Sequence, residues 1–138
     1  MLDKIDLKIM NILENNSRIS IKNIAKECNL NQGTIRNRIE KLKKNGVILG
    51  YKARIKYDTI GMEEVILGIN IAPEYFIQVM RELKSNPYIS ELYKTSGDHS
   101  AVAMIVATHD RMDELLPKIQ KIEGIINIYP AFIQGTVK

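Results

Sequence analysis

The stretch SIKNIAKECNLNQGTIRNRIEKLKKNG, residues 20–46, decides the fold. Its second part reads as one helix with a start, an apolar seam and a stop. Asn31 stands as an N-cap, and Ile35, Ile39 and Leu42 recur at i, i+4 and i+7. Lys43 and Lys44 lie on the last carbonyls, and Asn45-Gly46 supplies a left-handed cap. A shorter helix precedes it, with Ser20 as N-cap and Ile21, Ile24 and Ala25 facing inward. The break between the two, CNLN, is tight. A helix-turn-helix needs a small residue where its second helix crosses the first, a left-handed residue four positions on, and a β-branched core residue six further. Ala25, Asn29 and Ile35 occupy those places, and Asn is the non-glycine residue that best tolerates the left-handed conformation. Leu30 and Ile24 fill the same core, so the spacing predicts a helix-turn-helix.

Upstream, LDKIDLKIMNILENN places Ile5, Ile9, Ile12 and Leu13 at helical spacing, with Leu2 one turn before them. Asp3 and Asp6 lie in or near its first turn, where carboxylates complement the helix dipole, and Asn15 and Asn16 end it. This completes a three-helix domain over residues 1–47. Downstream, VILGYKARIKY reads as a linker strand bent at Gly50, and DTIG (58–61) as the domain boundary, so 48–61 joins the two halves.

Residues 62–138 alternate in type. EEVILGINIA, ISELYKTS, SAVAMIVAT and IINIYPAFIQGTV read as strands, the middle two joined through Gly97-Asp98. PEYFIQVMRELKS reads as a helix with Pro73 at N1 and with Phe76, Val79, Met80 and Leu83 on one face. DRMDELLPKIQKIEG is a second helix, which Pro117 should kink or interrupt. Pro130 fits best at an edge or a bulge. The order β-α-β-β-α-β defines a ferredoxin-like domain, and the whole chain an α+β protein. Val65, Leu67 and Ile69 should line one sheet face, and Val102, Met104 and Val106 the other. Both sets are apolar, which predicts that a second copy covers the helix-free face and that the protein is a homo-oligomer, with a dimer as its basic unit.

Composition bounds the function. The 138 residues are 45% hydrophobic and 26% charged, normal for a globular protein, and no apolar run spans a bilayer. One cysteine, Cys28, excludes an internal disulfide and suits a reducing cytoplasm, and two histidines with it make a structural zinc site a poor expectation. Residues 1–57 hold 13 Lys and Arg against 5 Asp and Glu, a balance of +8, whereas residues 58–138 hold 7 against 11, a balance of −4. The split suggests a first module facing a polyanion and a second facing something else.

Away from its seam, the third helix presents Gly33, Arg36, Asn37, Glu40, Lys41 and Lys44, with Thr34 at the edge. In a docked helix-turn-helix the N-terminal part of that helix enters the major groove of double-stranded DNA. Arg36 could pair bidentately with guanine, and Gln32 or Asn37 with adenine, while Thr34 could meet a thymine methyl or a phosphate. Arg38 lies beside the seam, where a phosphate contact or an internal ion pair competes with base reading. Lys41 and, on the preceding helix, Lys22 suit phosphates. Asn31 and Gly33 complete the DNA-facing set, the latter by allowing close backbone approach. His99 and His109 have no nucleophile or ligand set at recognisable spacing, so neither a catalytic residue nor a metal or cofactor is expected.

These residues, with the Gly-Asp loop of the second half, resemble the Lrp/AsnC (feast/famine) regulators over essentially the whole chain. The resemblance implies a winged-type helix-turn-helix joined by a strand to a ferredoxin-like domain, in dimers that often assemble into octamers. It also implies promoter binding at an inverted repeat and an amino-acid effector bound between dimers. The effector loop corresponds to Gly97, Asp98, His99 and Ser100. Two departures stand out: Gly-Asp-His-Ser replaces the common Gly-Asp-aromatic-Asp, and Ile128-Tyr129-Pro130 stands where Thr-x-Thr often does. Both remove polar ligands for an amino acid, so altered or absent effector binding is expected. A branch of the same architecture resembles siroheme decarboxylases, and His99, His109 and Arg111 keep an enzyme as the alternative.

Overall fold

The computed structural model describes residues 2–138, which divide into two compact units between Arg54 and Ile55. The first unit holds α1 (Lys4–Asn15), α2 (Ile21–Cys28) and α3 (Gln32–Lys44). Each helix starts on a side-chain cap. Asp3 and Asp6 form a reciprocal capping box on α1, Ser20 accepts the Asn23 amide on α2, and Asn31 accepts the Thr34 amide on α3. Ile9, Ile24 and Ile35 are fully buried at the centre of this unit, with Leu13, Ala25, Ile39 and Leu42 around them. Burying a side chain of that size contributes about 1.5–3 kcal/mol, and Leu42, Ile39 and Leu13, at most 8% exposed, add comparable amounts.

The expected linker strand is absent. Residues 51–56 form no regular element, since a strand needs a neighbouring strand along its edge and none pairs with this stretch among the described residues. Asp58–Gly61, expected as the boundary, falls inside the second unit: Tyr57–Ile60 makes a 3-10 turn that Gly61 closes at φ 72°.

The second unit contains β1 (Met62–Ile71), α4 (Phe76–Lys84), β2 (Ile89–Lys94), β3 (Ala101–Thr108), α5 (His109–Gln120) and β4 (Ile125–Phe132). All pairings are antiparallel, in the order β2-β3-β1-β4. One face of the sheet is core: Val65, Leu67 and Ile69 of β1 and Ala101, Ala103 and Ile105 of β3 pack with Val79 and Leu83 of α4 and Met112 and Ile119 of α5. The register sets Val102 opposite Gly68 and Met104 opposite Ile66, so Val102, Met104 and Val106 face away from the helices and are only half-buried. Pro130 lies on the edge strand β4, where its missing amide costs least.

Two helix expectations are corrected. Pro73 does not open α4. Tyr75 donates its amide to the Ala72 carbonyl at 2.9 Å, closing a 3-10 turn over Pro73–Tyr75, and the α-helix begins at Phe76. Nor does Pro117 interrupt α5, which runs unbroken from His109 to Gln120. Pro117 and Asp113 are both exposed, so the carbonyl left without an amide partner is available to water, and the Lys121 amide still reaches the Pro117 carbonyl at 3.2 Å.

Candidate nucleic-acid interface and effector cavity

The turn between α2 and α3 is built from its backbone outward. Asn29 sits at φ 54°, ψ 44°, the one non-glycine residue with positive φ among the described residues. The Leu30 amide then returns to the Ala25 carbonyl at 3.0 Å, which ends α2 and turns the chain sharply. Ala25, only 6% exposed, leaves room for α3 to cross, and Ile35 locks the crossing at 0%.

This geometry puts Gln32, Gly33, Arg36, Asn37 and Lys41 of α3 and Lys22 of α2 on exposed positions, with Thr34 half-buried at the margin. None of the side chains of Gln32, Arg36, Asn37, Lys41 and Lys22 has a hydrogen-bond or ion-pair partner among the described residues, so all are available to a ligand. Asn31 is different, since its Oδ1 accepts the Thr34 amide at 2.8 Å and caps the helix that carries the others. Gly33 has room for a methyl group: an added Cβ would meet only Asn31 Oδ1, at 3.4 Å. Gly33→Ala should therefore stabilise the unit by about 0.5–1 kcal/mol through helix propensity. The same variant should bind DNA more weakly than wild type if the bare backbone approaches it, so melting temperature and affinity should move in opposite directions.

Arg38 takes the internal ion pair of its two alternatives. Its guanidinium lies 2.6 Å from Asp3 Oδ2 and 3.1 Å from Asp6 Oδ1, tying α3 to the start of α1. The hydrogen bond from Arg38 holds the Asp3 carboxyl below its ordinary 3.8. Lys8 donates to the Glu27 carbonyl at 2.7 Å and ties α1 to the end of α2 in the same way. Arg38 thus ties α3 to α1 and helps position the exposed face.

In the second unit, Gly97, Asp98, His99 and Ser100 line one cavity of about 540 Å³, together with Asn70, Ile71, Phe76, Lys94 and Ile126. Gly97 adopts φ 101°, which an L side chain rarely takes. Ser100 Oγ accepts the Ile71 amide at 3.1 Å, and Thr95 Oγ1 donates to the His99 carbonyl at 2.7 Å, so the loop is pinned to β1 and β2. His99 lies flat over Gly68, where a Cβ would come within 2.6 Å of its ring. Its Nδ1 is 3.0 Å from Asn70 Oδ1, and its ring centroid is 5.1 Å from that of Tyr129. Tyr129 belongs to the triplet that replaces Thr-x-Thr, so the two departures in sequence meet in space. Sequence reasoning missed Gly68, Asn70 and Lys94 here, because only the register of β1 and the packing of the Gly-Asp loop bring them to it.

His109 lies at the other end of the sheet. Its Nδ1 is 2.6 Å from Glu63 Oε1 and its Nε2 3.5 Å from Asp113. Glu63 and Asn70 are seven residues apart on β1, roughly 20 Å at ~3.3 Å per residue, so the two histidines do not converge on one ligand. Arg111 is taken up by Glu114 at 3.2 Å and by the Tyr88 ring at 5.6 Å. The hydrogen bond to Glu63, then the charge of Asp113, hold the His109 pKa above its ordinary 6.5. A raised folded pKa contributes stability that is fully present below about pH 6.5 and lost as pH rises through the folded value. Thermal melts at about pH 6 and about pH 8.5 should show that loss in wild type and a smaller one in His109→Asn.

A helix-turn-helix followed by a ferredoxin-like domain with a loop-bounded cavity defines a two-module protein that pairs a polyanion-binding face with a ligand-binding one. Residues 2–48 match the winged helix-turn-helix DNA-binding family, and residues 64–138 match the Lrp/AsnC ligand binding domain. The chain belongs to the Lrp/AsnC family. It is 41% identical over 107 residues, covering 77% of this chain and 72% of the relative, to the HTH-type transcriptional regulator Ptr1 of Methanocaldococcus jannaschii. It is 35% identical over the full length of both chains to the HTH-type transcriptional regulator LrpA of Pyrococcus horikoshii. Among solved structures, PH0061 superposes with a TM-score of 0.88 at 25% identity, covering 100% of this chain and 96% of that one. Escherichia coli AsnC shares the fold, with a TM-score of 0.73 at 24% identity over 100% of this chain and 95% of its own.

Proposed function

We propose that the protein is a sequence-specific DNA-binding transcriptional regulator that acts as a homo-oligomer. The observation that carries the reading is the face of α3: unpaired amide and guanidinium groups at its N-terminal end and lysines beyond, held out by a capped turn and an internal ion pair. Relatives named as transcriptional regulators support it over the siroheme alternative, as does the separation of His99 from His109. Arg36, Gln32 and Asn37 read base edges, while Lys41 and Lys22 contact phosphates. A two-fold dimer presents two α3 helices to one side of the duplex, so the operator is an inverted repeat with half-sites about one helical turn, or a multiple of it, apart.

The half-buried apolar face of Val102, Met104 and Val106 supports a second copy as its cover, and higher assembly into octamers follows the family. Selection of bound sequences from a random DNA pool tests the main reading. An enriched inverted repeat is expected, and a pool that stays random after repeated rounds overturns it. No helix among the described residues is long and apolar enough to cross a membrane, in keeping with DNA as the partner.

The cavity at Gly97–Ser100 is the effector site of this reading, in altered form. Ser100 is committed to the backbone of β1 and His99 to Gly68 and Asn70, which leaves Asp98 and Lys94 as the charged groups for an amino acid's ammonium and carboxylate. Calorimetry against the common amino acids should show weak or no binding, and a micromolar ligand whose affinity depends on Asp98 would count against the altered site.

A further inference from the structure

The charge of the second module is unevenly placed. Residues 58–138 carry 7 cations against 11 acids, yet Arg81, Lys84 and Lys94 gather around one groove between α4 and β2, with Glu91 the one acid in its lining. The groove encloses about 630 Å³, and its lining includes the apolar side chains of Met80, Ile89 and Leu92. Neither Arg81 nor Lys84 has a hydrogen-bond or ion-pair partner among the described residues, and Lys94 holds its ammonium 5.7 Å from the Phe76 ring centroid. Beside these cations runs a sheet edge. β2 pairs with β3 alone, so the amides and carbonyls on its outer side have no strand to meet.

We propose that this groove docks a short extended segment of another protein as an added strand on β2, one whose groove-facing side chains, every second residue, include both apolar and acidic ones. Backbone hydrogen bonds along the edge supply affinity, and every second side chain turns toward the groove. Among these groove-facing positions, apolar side chains meet Met80 and Leu92 and acidic ones meet Arg81 and Lys84, while Lys94 also borders the effector cavity. The bulge between Ile89 and Glu91 leaves Glu91–Lys94 in regular register, so the added strand is short. A second copy of this chain is a poor occupant, because it brings the same cations to the contact. A free anion would use the rim and neither the edge nor the apolar lining.

The probe is a fluorescein-labelled octapeptide, Ser-Leu-Ser-Glu-Ser-Leu-Ser-Glu, titrated with the full chain and followed by fluorescence anisotropy. Saturable binding is expected, with a matching Lys and Leu peptide not bound. The double variant Arg81→Glu, Lys84→Glu should weaken it by roughly tenfold or more while binding DNA like wild type, which shows that it is folded. Methylation of alternate peptide amides on the side that faces β2 should abolish binding. No saturable binding, unchanged affinity of the double variant, or full binding of the methylated peptide would each overturn the proposal. Displacement of the peptide by an equal concentration of citrate would reduce the groove to an anion site and overturn it as well.

Discussion

Replacing Arg36 by alanine should lower affinity for the best operator by about 1–3 kcal/mol, roughly five- to 150-fold, and flatten the preference at one base position. The size follows from what a bidentate guanidinium–guanine pair discriminates, and from the exposed, unpaired state of Arg36 in the free protein: no internal bond has to break first. Lys41→Ala is the contrasting variant. It should weaken all sequences alike and reduce the slope of log affinity against log salt by about 0.9, because one fewer counterion is released. Binding curves on the selected operator and on a scrambled duplex at three salt concentrations separate the two. If both variants shift both duplexes equally, the division of α3 into base-reading and phosphate-contacting ends is wrong.

Ile35→Ala should destabilise the helix-turn-helix unit by about 2–5 kcal/mol, the cost of emptying a fully buried aliphatic site. Ile35 is 0% exposed and shares its core with Ile9 and Ile24, none of which belongs to the core of the second unit. The loss should therefore be local. Helical signal by circular dichroism should melt in two steps, the first at lower temperature, while the sheet unit keeps its transition. DNA binding at 37 °C should fall with the first step. A single transition shifted as a whole would show that the two cores unfold together.

Much of this was legible in the sequence, because it depended on short-range chemistry. Asn29, Asn31 and Ser20 act on residues within a turn or two of themselves, and the predicted caps and left-handed residue stand where they were expected. Alternation in β1 and β3 likewise assigned their faces correctly, since pleating is local. What was not legible depended on distant partners. A strand over 47–57 could be read from composition, but its formation needs a pairing strand, and the sheet of the described residues does not include it. The ion pair of Arg38 depends on Asp3, 35 residues away. His99 read as a loop histidine, and only the register of β1 reveals its seat over Gly68.

That seat ties two positions of the chain into one unit of inheritance. A methyl group at position 68 and an imidazole at position 99 cannot occupy the same space, so Gly68→Ala in this background should expel the ring. The Gly97–Ser100 loop would then lose its bond to Asn70 and the tilted ring contact with Tyr129. Among relatives, a side chain at 68 should be accompanied by a small residue at 99, whereas glycine at 68 accepts either a large or a small one. Divergence of ligand response in this lineage would then run in one order, loss of the ring at 99 before gain of a side chain at 68, with the floor of the sheet deciding which loops it can carry.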